Sequence, residues 1–214
     1  MLQKQLYFLY STLFRMTLVD YLPFLAVSII LWNIIAAMVN EGSTSLIEQE
    51  GIIRQMPQPY SVHALRCMMR NALMAAHNLP LIVVVFLACG IWPGWVALLA
   101  LPGLLLFVVN AFAAAILFGM LSARFRDIGP ILASVMQIAF FVSPIIWKPE
   151  LLGPGAVWLP FNPFFAVMET VRGPLVEGGI SPLLWGAALG YSACLWAAAF
   201  YLFVKFRNRI AFWV

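Results

Sequence analysis

The string Ser122-Ala123-Arg124-Phe125-Arg126-Asp127-Ile128-Gly129 lies between two apolar stretches, each long enough to cross a bilayer. Three charges within four residues are too costly to bury in hydrocarbon, so the string marks a membrane surface. Crossing about 30 Å of hydrocarbon takes about 20 helical residues. Five runs come close to or exceed that length: residues 21–39, 72–92, 95–121, 131–147 and 183–204. A sixth, residues 6–14, reaches only about half of it, and Lys4 and Arg15 leave it no hidden extension.

Composition agrees with this reading. Hydrophobic residues make up 64% of the 214, charged residues 9%, and the mean hydropathy is +0.98, whereas a soluble domain carries about 25% charged residues. The expected fold is all-α: a polytopic transmembrane helical bundle with five clear spans, a partial first span and a re-entrant external hairpin, in one domain over residues 1–214. The net charge of +4 comes from basic residues scattered at span ends rather than aligned in a stripe, so it does not point to nucleic acid. Cys89 and Cys194 fall inside apolar runs, which makes a disulfide framework with Cys67 a poor reading.

Orientation follows from the basic residues. Alternate connections carry eight Lys and Arg on the side of Arg124 and four on the other, which puts the Arg124 turn and the C-terminus in the cytoplasm. Five spans would then leave the N-terminus outside, although residues 1–14 show neither a basic n-region nor a cleavage site. The chain is therefore expected to begin inside what should be a first span. The alternative is a short 6–14 segment lying in the interface.

Residues 40–71 form the longest cytoplasmic connection and read as two short helices. Ser45-Leu46-Ile47-Glu48 has capping-box spacing, Gly51 is a natural stop, and Pro57-Gln58-Pro59 forbids helix between the two. Ser61 is placed to cap the second, which carries Arg66 and Arg70 on one face. With Glu41, Glu48, Glu50 and Arg54 this elbow could dock a soluble partner, or be a solvated loop with snorkelling arginines.

Residues 143–182 hold seven of the fourteen prolines yet stay apolar. Irregular apolar backbone at a membrane face is tolerated where protein or a water-filled cavity satisfies it, so a re-entrant or interfacial hairpin is expected. Asn162 and Pro163 read as the N-cap and first position of a helix to about Arg172, with Glu169 and Arg172 paired at i, i+3. The aromatics Trp147, Trp158, Phe161, Phe164 and Phe165 have two readings: an interfacial belt, or flat faces along which sugars slide.

No G-x-x-x-x-G-K-[ST] occurs, so energy from ATP would have to come from another subunit. His63 and His77 have no metal-ligand spacing. The spans carry almost no ionisable group, which argues against an ion-coupled transporter and against an intramembrane hydrolase.

Five segments, in order, carry a resemblance: Leu31-Trp32-Asn33, Glu50-Gly51-Ile52-Ile53-Arg54, Ala123-Arg124-Phe125-Arg126-Asp127-Ile128, Ser143-Pro144-Ile145-Ile146-Trp147 and Phe161-Asn162-Pro163-Phe164. Together they resemble ATP-binding-cassette exporter permeases of the second type, and within these the polysaccharide exporters for O-antigen, capsule and teichoic acid. The resemblance implies a permease with no catalytic centre and no cofactor of its own. It would work in the bacterial inner membrane as a homodimer with two cytoplasmic P-loop ATPase subunits that bind ATP and Mg, passing a lipid-linked glycan between the two copies. Residues 40–71 would be the coupling elbow, with Glu48, Glu50, Arg54 and Arg66 receiving ATPase motion. Arg124, Arg126 and Asp127 would stand at the cytoplasmic mouth. Residues 148–182 would form the external gate, where Trp147, Trp158, Phe161, Phe164 and Phe165 face the sugar path. Family members carry an amphipathic helix and a full first span ahead of the position of residues 7–15, so against the family this sequence is expected to be N-terminally truncated. The runner-up readings are a drug or lipid exporter permease and a membrane scaffold that transports nothing.

Overall fold

The structure is a computed structural model that describes residues 18–55 and 59–213, without the side chains of 18–20, 54 and 211. The 6–14 segment therefore lies outside the described residues. Among the described residues there are seven α-helices: α1 Leu18–Thr44, α2 Glu50–Gln55, α3 Tyr60–Cys89, α4 Ala100–Arg124, α5 Ile128–Val142, α6 Pro163–Arg172 and α7 Pro182–Phe206. A 3-10 turn, Trp95–Leu99, leads into α4, another covers Pro149–Phe161, and a π-turn, Gly173–Glu177, follows α6. No strand occurs among the described residues.

Among the described residues four helical stretches are long and apolar enough to cross a membrane: Tyr21–Thr44, Tyr60–Cys89, Trp95–Arg124 and Pro182–Ile210. They correspond to four of the five expected runs. The fifth differs, because α5 has only 15 residues, about 22 Å of helix against about 30 Å of hydrocarbon. Its end has a local cause: Pro144 disfavours helix at the residue before it, and Ser143 is extended (φ −85°, ψ 144°). Beyond it, Pro149–Phe161 and Pro163–Glu177 form a pair bent by 106°, the hairpin expected from the prolines.

Two boundaries in the elbow also shift. Because α1 runs on to Thr44, Ser45 does not cap a new helix; its hydroxyl donates to the Gly42 carbonyl at 2.7 Å and to the Ala115 carbonyl at 3.4 Å. Glu48 is held instead by the Thr44 hydroxyl at 2.6 Å. The second short helix is the opening of α3, which starts directly after Pro59, so Ser61 caps nothing.

Helices α1 and α4 make the centre: 56% and 44% of their apolar windows are buried, against 11% for α3 and 17% for α7. Close approach explains why α4 is spaced as it is. Gly103, Phe107, Ala111, Ala115 and Gly119 recur every four residues and are all buried, which puts them on one face. A methyl group on Gly119 would sit 2.7 Å from the Ser45 hydroxyl, and one on Gly103 2.7 Å from the Thr170 carbonyl of α6. Small residues let membrane helices meet at such distances.

The other organising contact is polar. Arg172, at the end of α6, is 0% exposed. Its Nε and Nη2 donate to Glu169 Oε2 at 2.9 and 2.5 Å, and its Nη1 donates to Ser28 Oγ of α1 at 3.1 Å and to the Pro144 carbonyl at 2.6 Å. The guanidinium carbon lies 4.6 Å from the centroid of Phe24 and 5.4 Å from that of Phe165. The i, i+3 pairing was legible in the sequence, whereas its burial was not. A buried ion pair is strongly destabilised by losing one partner and often loses little when both become apolar. Arg172→Met and Glu169→Leu should therefore each cost about 3–5 kcal/mol and the double variant much less than the sum, read as thermal unfolding of the detergent-purified protein. Additive losses would show that the two side chains do not act as a pair.

Candidate functional site

Two ends of the bundle carry the residues singled out by sequence. At the end that holds the Arg124 turn, α1, the 45–49 turn and α3 are cross-linked by side chains. Glu41 Oε2 accepts from Arg70 Nη2 at 2.7 Å, from Arg70 Nε at 3.1 Å and from Asn71 Nδ2 at 3.1 Å. Arg66 Nη1 donates to Gln49 at 3.4 Å. Glu50, at the start of α2, pairs with Arg126 at 3.6 Å. The structure thus joins a residue of the expected elbow to a residue of the expected mouth, 76 positions apart in number, through one exposed ion pair. Glu48 is spent locally on Thr44, and the Arg54 side chain lies outside the described residues.

Arg124 takes no carboxylate partner among the described residues. Its guanidinium stacks 5.0 Å over Trp213 and 5.2 Å over Phe125. Asp127 flanks α5 without a side-chain cap, placed where its charge suits the helix dipole. Beneath the turn, Leu46, Met120, Ala123 and Ile210 form a small buried core, so the 207–212 segment is packed against both the elbow and the end of α4. Sequence reading missed this use of Ile210 and Trp213; the apolar Ile210 and Trp213 next to Arg207 and Arg209 were the available signal.

At the other end, the hairpin is fastened by the side chains of Asn162, Tyr21, Trp147 and Tyr191 besides Arg172. Asn162 caps α6, accepting from the backbone N–H of Phe164 at 3.0 Å and Phe165 at 3.2 Å, and its Nδ2 donates to Ser143 Oγ at 2.9 Å. The Tyr21 hydroxyl donates to the Ile146 carbonyl at 2.6 Å, the Trp147 indole to the Phe141 carbonyl at 3.3 Å, and the Tyr191 hydroxyl to the Pro160 carbonyl at 3.1 Å. The five aromatics do not share one surface. Trp158 and Phe161 are exposed and lie with centroids 5.8 Å apart. Trp147 is half-buried. Phe164 packs edge-on to Trp32 at 5.6 Å, and Phe165 is buried against Arg172.

Phe164 also lines a cavity of about 300 Å³ between α1, α4, α5, α6 and α7. Its walls include Met38, Phe107, Leu132, Met136 and Val167, and its polar members are Asn110, Tyr191 and Ser192. Asn110 Nδ2 donates to Ser192 Oγ at 2.8 Å, and Ser192 in turn donates to the Ala188 carbonyl at 2.7 Å. Such a space accepts a hydrocarbon chain far more readily than a sugar. No group of three metal-ligating side chains occurs among the described residues.

The chain is similar to the O-antigen export system permease protein RfbA of Myxococcus xanthus, 21% identical over 197 residues, or 89% of this chain and 75% of that protein. Two proteins of the same name from Klebsiella pneumoniae are 23% identical over 177 and 174 residues, covering 82% and 80% of this chain and 68% and 67% of their own lengths. Residues 5–176 match the family described as "ABC-2 type transporter". With most of its length inside that match and an apolar helical bundle among its described residues, this multi-pass membrane protein belongs to the ABC-2 type transporter family.

Proposed function

We propose that the chain is the permease of an exporter that moves a lipid-linked, O-antigen-like polysaccharide across the bacterial inner membrane. The observation that carries this reading is the similarity, over four fifths or more of the chain, to three O-antigen export permeases. Two copies would surround the glycan path, and a separate cytoplasmic P-loop ATPase would bind ATP and Mg and hydrolyse the nucleotide. The basic residues, eight against four, favour a cytoplasmic Arg124 turn and C-terminus. The 40–71 elbow would receive ATPase motion through Glu48, Glu50, Arg54 and Arg66, and the Glu50–Arg126 pair offers a way for that motion to reach the end of α4. In the 148–182 hairpin, Trp158 and Phe161 are the aromatics free to meet a sugar.

A second reading, export of a lipid or a drug, is favoured by the apolar cavity beside Phe164. The two separate experimentally. Reconstitution with a partner P-loop ATPase, in vesicles loaded with a defined lipid-linked glycan, should give ATP-dependent export; lack of any ATPase partner on detergent pull-down would remove the exporter reading. Val135 lines the cavity from its exposed rim, so Val135→Trp should obstruct its mouth, leaving glycan export within about twofold while strongly reducing efflux of an apolar dye if dye is carried at all.

The ion pair is a coupling device rather than a source of stability, since its side chains are 61% and 35% exposed. Arg126→Glu should change stability by less than about 1 kcal/mol, yet lower export about tenfold at unchanged ATPase binding. Adding Glu50→Arg should return most of the loss. Full export by the single variant would show that the elbow and the turn move independently.

A further inference from the structure

A second cavity, about 370 Å³, opens at the hairpin end, away from the Asn110 cavity. Its lining combines apolar side chains, among them Phe24, Phe86, Ile91 and Leu175, with the charged Lys148, Glu150 and Glu177. The level of the cavity is set by its neighbours in sequence: Trp92 and Trp95 are 86% and 88% exposed, as tryptophans are at the headgroup layer.

The charges in this cavity do not neutralise one another. Lys148 Nζ lies 5.5 Å from the centroid of Phe24, and among the described residues it forms no ion pair with a carboxylate. Glu150 likewise forms none, while Glu177 also contacts the Glu169 carboxyl. A cation and carboxylates held apart in one cavity complement a ligand that carries both signs, also held apart. A phosphodiester suits the lysine, and a primary ammonium, with N–H donors, suits the carboxylates.

Sugar is the poorer occupant. The two aromatics of the lining, Phe24 and Phe86, are 1% and 6% exposed, and the Phe24 ring already carries Arg172 and Lys148, so no open ring face is offered to a pyranose. An anionic lipid would meet Lys148 but also two carboxylates, which disfavour it. The apolar side chains of the lining supply what a glycerol backbone and the start of an acyl chain require.

We infer that this cavity is a binding site for a zwitterionic phospholipid headgroup of the phosphoethanolamine type, with the phosphate on Lys148 and the ammonium on Glu150 and Glu177. The site lies between the start of α1, the end of α3 and the π-turn after α6. A lipid seated there meets Lys148, which lies over the Phe24 ring, and that ring in turn packs against Arg172. The inference does not depend on what the protein exports.

The test uses the full chain purified in detergent and offered phosphatidylethanolamine or phosphatidylglycerol at equal concentration, with bound lipid counted by native mass spectrometry. Phosphatidylethanolamine should be retained about tenfold over phosphatidylglycerol, the difference expected from one charge-assisted contact. Lys148→Glu should lower its retention about tenfold. Glu150→Gln should narrow the preference without removing phosphate binding. Lys148→Arg, which keeps the cation, should keep the preference and serves as the control for folding. Equal retention of the two lipids by the unaltered protein, or an unchanged preference in both Lys148→Glu and Glu150→Gln, would overturn the assignment.

Discussion

The structure turns on one guanidinium that has no access to solvent. Leaving water costs an ion several kcal/mol even after relaxation, so Arg172 is tolerable only because Glu169, Ser28 and the Pro144 carbonyl receive its donors. That requirement reaches well beyond α6. The Pro144 carbonyl points at Arg172 because the chain has left helical geometry at Ser143, which is also why α5 stops short of a full crossing. Ser28 belongs to α1, 144 positions away in number. One charge therefore fixes where the first helix, the exit of α5 and the hairpin meet.

Much of this architecture is legible in the order of the amino acids. Apolar runs mark the four long helices, Asn162-Pro163 marks the start of α6, and Glu169 with Arg172 marks the pairing, because each rests on neighbours within a few positions. The failures have the opposite character. Ser45 looks like a cap because Glu48 follows at the right spacing, but its environment is set by Ala115 on another helix. The run 131–147 has the composition of a span, and a single Ser143-Pro144 step divides it. Glu50 and Arg126 fall into different functional groups by sequence, since nothing local relates them; only the fold brings them to 3.6 Å. The aromatics of the hairpin group together by type, whereas packing separates the exposed Trp158 and Phe161 from Phe165, which Arg172 claims.

The two ends of the bundle are built from interactions of different weight. At the Arg124 end, the ion pairs Glu41–Arg70 and Glu50–Arg126 are partly exposed, and such pairs contribute about 0–1 kcal/mol each. They specify geometry while remaining easy to rearrange. At the hairpin end the contacts of Arg172 are buried and those of Asn162 and Tyr21 partly so, and an unmade bond there leaves a desolvated group. A structure of this kind is soft where the elbow meets the turn and stiff where the hairpin meets α1.

That contrast bears on how a push at one end could be felt at the other. Helix α1, with 27 residues, is about 40 Å long and takes part in both ends, through Glu41 to Arg70 and through Ser28 to Arg172. It does not slide freely against α4, because a methyl group on Gly42 would already lie 3.1 Å from the Ala115 backbone. Helix α4 is held to α6 by the same kind of approach at Gly103 and Thr170. Interlocked backbones of this sort resist shear, so α1, α4 and α6 form one stiff block. The short α5 touches this block along α1 and, more sparsely, α4, and the Asn110 cavity lies along that looser boundary. Under the exporter reading, a displacement delivered to the elbow would be carried by the block as a whole and taken up where packing is thinnest, between the block and α5.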